Sequence, residues 1–301
     1  MAQSRYHIVT GRYVGGRIME WRGRRGSRNV EDRRGMGRAG AAGGVGIVGM
    51  LAILAVGYFF GIDISPIVGA MDDGGQPGEA RELTPEEQEV GQFVSVVLAD
   101  TEEVWASILP AQAGVDYVAP QLVMFSGIDS SACGTAQSAM GPFYCPNDRT
   151  VYLDTDFFRT MQTRMDAGGD FAFAYVIAHE VGHHVQNQLG ILGQTMQARQ
   201  QSSQADANRI SVMTELQADC FAGIWARQAN EMFGTLQPGD IEEAMNAAAA
   251  VGDDRLMEKA GRAPMRDSFT HGSSAERQEW FDRGFNSGEL AQCNTFKAAG
   301  L

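Results

Sequence analysis

The sequence predicts an α+β chain: one N-terminal transmembrane helix, then a mostly helical domain with a small sheet. Three observations predict it. Residues 39–62 are 24 consecutive positions without a formal charge, and a bilayer span needs about 20 mostly apolar residues. Beyond them, apolar side chains recur at helical spacing through most of the chain. Only Tyr117–Phe125 and Thr150–Leu153 carry the β-branched and aromatic runs of strands.

The span is supported by its flanks. Residues 1–38 hold ten Arg and no Lys against Glu20, Glu31 and Asp32, whereas the rest of the chain is strongly acidic within a net charge of −13. A basic head on an acidic body points to topology, because a nucleic-acid-binding domain would carry its cations on the folded part. The positive-inside rule then predicts an inner-membrane, single-pass protein with a cytoplasmic N-terminus and an extracytoplasmic domain. A cleaved signal peptide is disfavoured by the long basic region and the lack of a small-x-small cleavage site.

The expected organisation is a cytoplasmic Arg-rich segment over 1–38, the transmembrane helix over 39–62, a Gly/Pro/Asp-rich linker over 63–83, and a folded domain over 84–301. Thr84-Pro85-Glu86-Glu87 is a capping box with Pro at the first helical position, and its helix is expected to end at Pro110. Gly168-Gly169 precedes Asp170, a candidate cap for a helix beginning at Phe171. Further helices are expected near 205–233, 240–251 and 274–287, the last opened by the box Ser273-x-x-Glu276 and closed at Gly288. Four cysteines in an exported domain suggest disulfides with three possible pairings. Cys133 with Cys145 would close a short loop and leave Cys220 with Cys293; four reduced thiols are the alternative.

The chemistry is concentrated in His179-Glu180-Val181-Gly182-His183. Residues four apart on a helix lie about 40° apart around its axis, so both imidazoles can share one zinc ion. Glu180, to one side, can hold a water and take its proton. The metzincin extension is excluded, since Gln186 and Leu189 stand where Gly and His would be required. Glu215 and Asp219 share a face of a second helix, so Glu215 can be the third ligand while Asp219 accepts the N–H of a ligating histidine.

H-E-x-x-H followed by E-x-x-A-D resembles the gluzincin metallopeptidases. The match is closer to the neutral zinc metallopeptidases of bacteria, carried by Trp21-Arg22-Gly23-Arg24-Arg25, Asn29–Gly35, Tyr144-Cys145-Pro146, HEVGHHVQ, ELQADCFAG and THGSSAERQEWF. It runs from about Met19 to the C-terminus, which implies Met19 as the initiator. The resemblance implies a zincin-like catalytic domain that hydrolyses peptide bonds in a peptide or protein substrate, with a zinc-activated water and Glu180 as general base. Thr270-His271-Gly272, with Arg277 after it, is similar to a T-H-P…E-R segment of membrane prenyl-protease gluzincins. It makes His271 a candidate transition-state donor and Arg277 a candidate support.

Two rivals remain in view. A zinc-containing envelope scaffold or assembly factor without turnover would have no use for Glu180. An intramembrane protease would bury its motif in a long apolar span, but the apolar stretch before His179 is about eight residues long.

Overall fold

The computed structural model describes residues 19–35, 81–137 and 141–299. Helix α1, Pro85–Ala113, opens on the expected box, with the Thr84 side chain accepting from Glu87 N–H and Glu87 returning the bond. It runs past Pro110 to Gly114, which takes the left-handed conformation. Proline removes the donor owed to the carbonyl of Ala106, and Ala106 is exposed, so water can replace that bond.

The sheet has the order β1-β2-β6-β5, from strands β1 (Val30–Asp32), β2 (Gln121–Phe125), β5 (Phe143–Cys145) and β6 (Thr150–Asp154). β1, β2 and β6 run parallel, and β5 is antiparallel to β6. β3 (Ile128–Ser131) and β4 (Gly134–Gln137) form a separate hairpin. The strand expected from Tyr117 starts four residues late, because Val118 is held instead at the end of a helix: its N–H donates to Gln188 and its carbonyl accepts from His184.

The remaining helices are α2 (Thr155–Arg164), α3 (Asp170–Gln188), α4 (Ile191–Gln200), α5 (Gln204–Phe233), α6 (Asp240–Ala250), α7 (Asp253–Lys259), α8 (Ser274–Ser287) and α9 (Thr295–Ala298). α3 and α5 lie at the centre, packed on each other, with α8 along α5 and α6 beside α3. Their shared core holds stacked and edge-on rings, among them Phe171 on Trp225 and Trp105 on Phe221. Both disulfides form as Cys133–Cys145 and Cys220–Cys293.

The transmembrane part of the predicted fold is corrected. The span expected over 39–62 lies outside the described residues, and among the described residues no helix is long and apolar enough to cross a membrane. The described residues therefore give no support to the expected inner-membrane, single-pass anchor. Residues 19–35 supply the physical reason. Met19 and Trp21 are buried, Trp21 meets the edge of Phe93, and β1 joins the sheet beside β2. Arg22 pairs with Glu89, Arg24 with Asp100 at 2.5 Å, and Arg25 with Glu103 at 2.9 Å, all three acids on α1. The arginines expected across a bilayer from the domain are instead complementary to its first helix.

Candidate metal centre

α3 is apolar enough to be buried almost all round, from Phe171 to Val185. His179 and His183 emerge on the side that faces α5, where the two helices approach closely. Gly182 makes the approach possible: a Cβ there would lie 3.0 Å from the carbonyl oxygen of Ala218. Ala218 stands between Glu215 and Asp219, so the glycine inside the histidine motif brings the two motifs together.

The result is a convergence of nitrogen and oxygen donors. His179 Nε2 is 3.2 Å from Glu215 Oε2, and His183 Nε2 is 3.5 Å from Glu215 Oε1. One ligand atom from each of the three residues lies within 4.8 Å of the others. The side chains of His179, His183 and Glu215 are 8, 14 and 21% exposed, so the site opens towards solvent on the His183 and Glu215 side.

Each imidazole is held from behind. Asp219 Oδ1 accepts from His179 Nδ1 at 2.8 Å, and Gln186 Oε1 accepts from His183 Nδ1 at 2.8 Å. Asp219 is itself clamped by Arg277, through Nε at 2.8 Å and Nη2 at 2.9 Å, and by the Tyr175 hydroxyl at 2.5 Å. Burial would raise the Asp219 carboxyl, but Arg277 and His179 outweigh it and hold it below its ordinary value. Burial likewise opposes the charge on His179, yet Asp219 and Glu215 lift it to about 10.

That network fits zinc. With both Nδ1 protons donated backwards, the Nε2 atoms turn lone pairs towards the Glu215 carboxylate. Three such donors repel one another unless a cation or protons lie between them. Two imidazoles and a carboxylate form a donor set that zinc takes in catalytic sites, where a fourth position stays open.

Glu180 lies on the next position of α3, buried, and makes no hydrogen bond to another side chain among the described residues. Burial pushes its carboxyl up, with His183 and His179 pulling the other way. His271 comes close enough for its charge to act on Glu215. Its ring is half exposed, and Nδ1 stands 3.2 Å from Asp253 Oδ1. Asp253 Oδ2 also accepts the backbone N–H groups of Thr270, His271 and Gly272 at 2.7, 2.6 and 3.0 Å. Arg277 is buried and paired with Asp219 behind His179, close enough for its charge also to act on His271. His184 faces away from the site, between the Tyr144 hydroxyl and the Val118 carbonyl. Sequence reasoning missed Asp253, Tyr175 and Gln186, although two of them carried a signal: Tyr175 precedes His179 by four residues and Gln186 follows His183 by three, so each shares a face with its histidine.

The family described as putative neutral zinc metallopeptidase matches residues 19–296. The chain belongs to that family. Membership brings a zinc-dependent, peptidase-like function in its coarse form, and the donor set above agrees with the metal it implies. The chain is 46% identical over 287 residues to the uncharacterized protein YpfJ of Escherichia coli (strain K12), an alignment covering 92% of this chain and 99% of that one. It is 45% identical over 210 residues to the uncharacterized protein Rv2575 of Mycobacterium tuberculosis (strain ATCC 25618 / H37Rv), covering 66% of this chain and 68% of that one. No solved structure matches it.

Proposed function

We propose that the protein is a zinc metalloendopeptidase acting on peptide or protein substrates, with His179, His183 and Glu215 as the metal ligands. The observation that carries this reading is the convergence of those three side chains on one point with Glu180 beside it. Zinc, when bound, supplies a Lewis acid that polarises the scissile carbonyl and makes water easier to deprotonate. Glu180 takes the proton of the attacking water and passes it to the departing amine; a carboxyl raised by burial is the better base for this. Asp219 holds His179 in the tautomer that leaves Nε2 free to bind. Burial opposes a charge on His271 but its bond to Asp253 raises it, and the imidazolium donates from Nε2 to the carbonyl oxygen as charge builds there.

The test is metal analysis of the purified protein together with hydrolysis of casein or a peptide library. About one zinc per chain is expected. Glu180→Gln should keep the metal and lose turnover, whereas Glu215→Ala should lose both. Zinc loss of equal size in the two variants would reject this division of roles. Bound zinc with no hydrolysis by the wild type would favour a zinc-binding scaffold or assembly factor instead.

A further inference from the structure

The second histidine is oriented by an amide, and that amide belongs to a chain of bonds with a fixed direction. Gln186 is fully buried. Its Nε2 donates to the Thr214 carbonyl at 2.7 Å and to Gln217 Oε1 at 3.0 Å, which spends both of its N–H groups. Gln217 Nε2 donates in turn to the Cys293 carbonyl at 3.0 Å. Cys293 is bonded to Cys220 of α5, the helix that also carries Gln217 and Glu215.

A backbone carbonyl can only accept, so the polarity of the whole series follows from its far end. Cys293 C=O requires the Gln217 amide N–H to face it. The Gln217 oxygen must then face Gln186, and flipping the Gln186 amide would set its oxygen against Thr214 O and Gln217 Oε1. The Gln186 oxygen is thereby left for His183 Nδ1–H, and the His183 lone pair is left on Nε2, towards Glu215. All four atoms of the two amides are used, in a region where a flipped amide would bury unpaired oxygens.

We infer that Gln186 and Gln217 are positioning residues that set the tautomer of His183, with the Cys220–Cys293 bridge as their anchor. The inference rests on the zinc reading given above. Its consequence is that zinc affinity depends on two glutamines and a disulfide that never touch the metal.

Zinc dissociation constants of the full chain, measured by competition with a chromophoric chelator, test it alongside melting temperatures. Gln217→Met should weaken zinc about 10-fold to 100-fold, the range expected for a partner behind a ligand. The double variant Cys220→Ala with Cys293→Ala should weaken it to a similar degree. Combining all three changes should add little, because both act through the same series of bonds. Gln217→Glu should retain most of the affinity, since a buried protonated acid offers one donor and one acceptor as the amide does. The inference is overturned by a wild-type protein that binds zinc while Gln217→Met binds it equally well. It is also overturned if the losses multiply, or if Gln217→Glu fails as badly as Gln217→Met with both proteins folded. A wild-type chain that binds no zinc, or a His183→Ala variant that binds it as tightly, would reject the zinc reading itself and the inference with it.

Discussion

Arg277 meets Asp219 in a fork, Nε to Oδ2 at 2.8 Å and Nη2 to Oδ1 at 2.9 Å, while that same Oδ1 accepts from His179. The arginine and the aspartate are both buried, so the pair is an internal charge clamp on the histidine proposed as a metal ligand. The guanidinium that the sequence offered as a transition-state support makes these bonds to a carboxylate behind the site.

Removing one member of a buried pair costs about 3–5 kcal/mol, because the other charge stays buried without its partner. Arg277→Ala should therefore lower the urea midpoint sharply in the metal-free protein. Arg277→Lys should recover only part of the loss, as an ammonium cannot make both bonds. A near-neutral Arg277→Ala in equilibrium unfolding would show that the clamp contributes little.

The clamp depends on how closely α8 approaches α5. A Cβ on Gly223 would lie 2.1 Å from the Phe281 carbonyl oxygen, and one on Gly284 would lie 1.9 Å from that of Cys220. Either backbone must move to admit an alanine, and overpacking of this kind costs about 1–3 kcal/mol. Gly223→Ala and Gly284→Ala should each destabilise the protein and also weaken zinc binding, since α8 carries Arg277 outwards with it. Loss of stability with unchanged zinc affinity would mean that the helix shifts without disturbing Asp219.

What was legible in the sequence follows the range of the interactions. The spacing of His179 to His183, and of Glu215 to Asp219, is local, so a helical period was enough to pair each set on one face. The Thr84 and Ser273 boxes are local too, and both helices begin where those residues indicate. Arg277 lies 58 residues from Asp219, and no period relates them. The basic head failed for the same reason. Its partners Glu89, Asp100 and Glu103 lie far along the chain, so an Arg cluster that neutralises α1 read as a topological signal. The short helices α4, α7 and α9 had too few residues to establish a period.

Stability should also fall as pH rises through neutrality. Asp170, Asp240 and Glu243 come within 4.8 Å of one another near the starts of α3 and α6. Burial raises Asp170 to about 7, Asp240 to about 6 and Glu243 to about 7, with neighbouring carboxylates adding to the effect at Asp170 and Glu243. Unfolded carboxyls titrate near 4, so the folded state holds its protons longer. The stabilisation is full below about pH 4 and is lost as pH rises through 6–7. In metal-free protein the urea midpoint should be lower at pH 8 than at pH 5, and the difference should shrink in Asp170→Asn with Glu243→Gln. A midpoint that rises over that interval, or a variant as pH-sensitive as the wild type, would contradict the assignment.

His271 separates a catalytic donor from a structural cap. Asp253 binds three consecutive backbone N–H groups around it, so the loop is held whether or not the imidazole is present. The ring itself is half exposed and contacts Asp253 through Nδ1 alone, which leaves Nε2 available to a substrate. His271→Ala should therefore keep its zinc and its melting temperature while kcat falls by about 10²–10³, the cost of losing one donor to a developing oxyanion. Asp253→Asn should do worse in a different way. It removes the charge that several N–H groups share, so the melting temperature should fall as well as kcat. If His271→Ala melts earlier yet keeps its turnover per folded molecule, the imidazole is part of the loop's structure and the oxyanion is stabilised by another group.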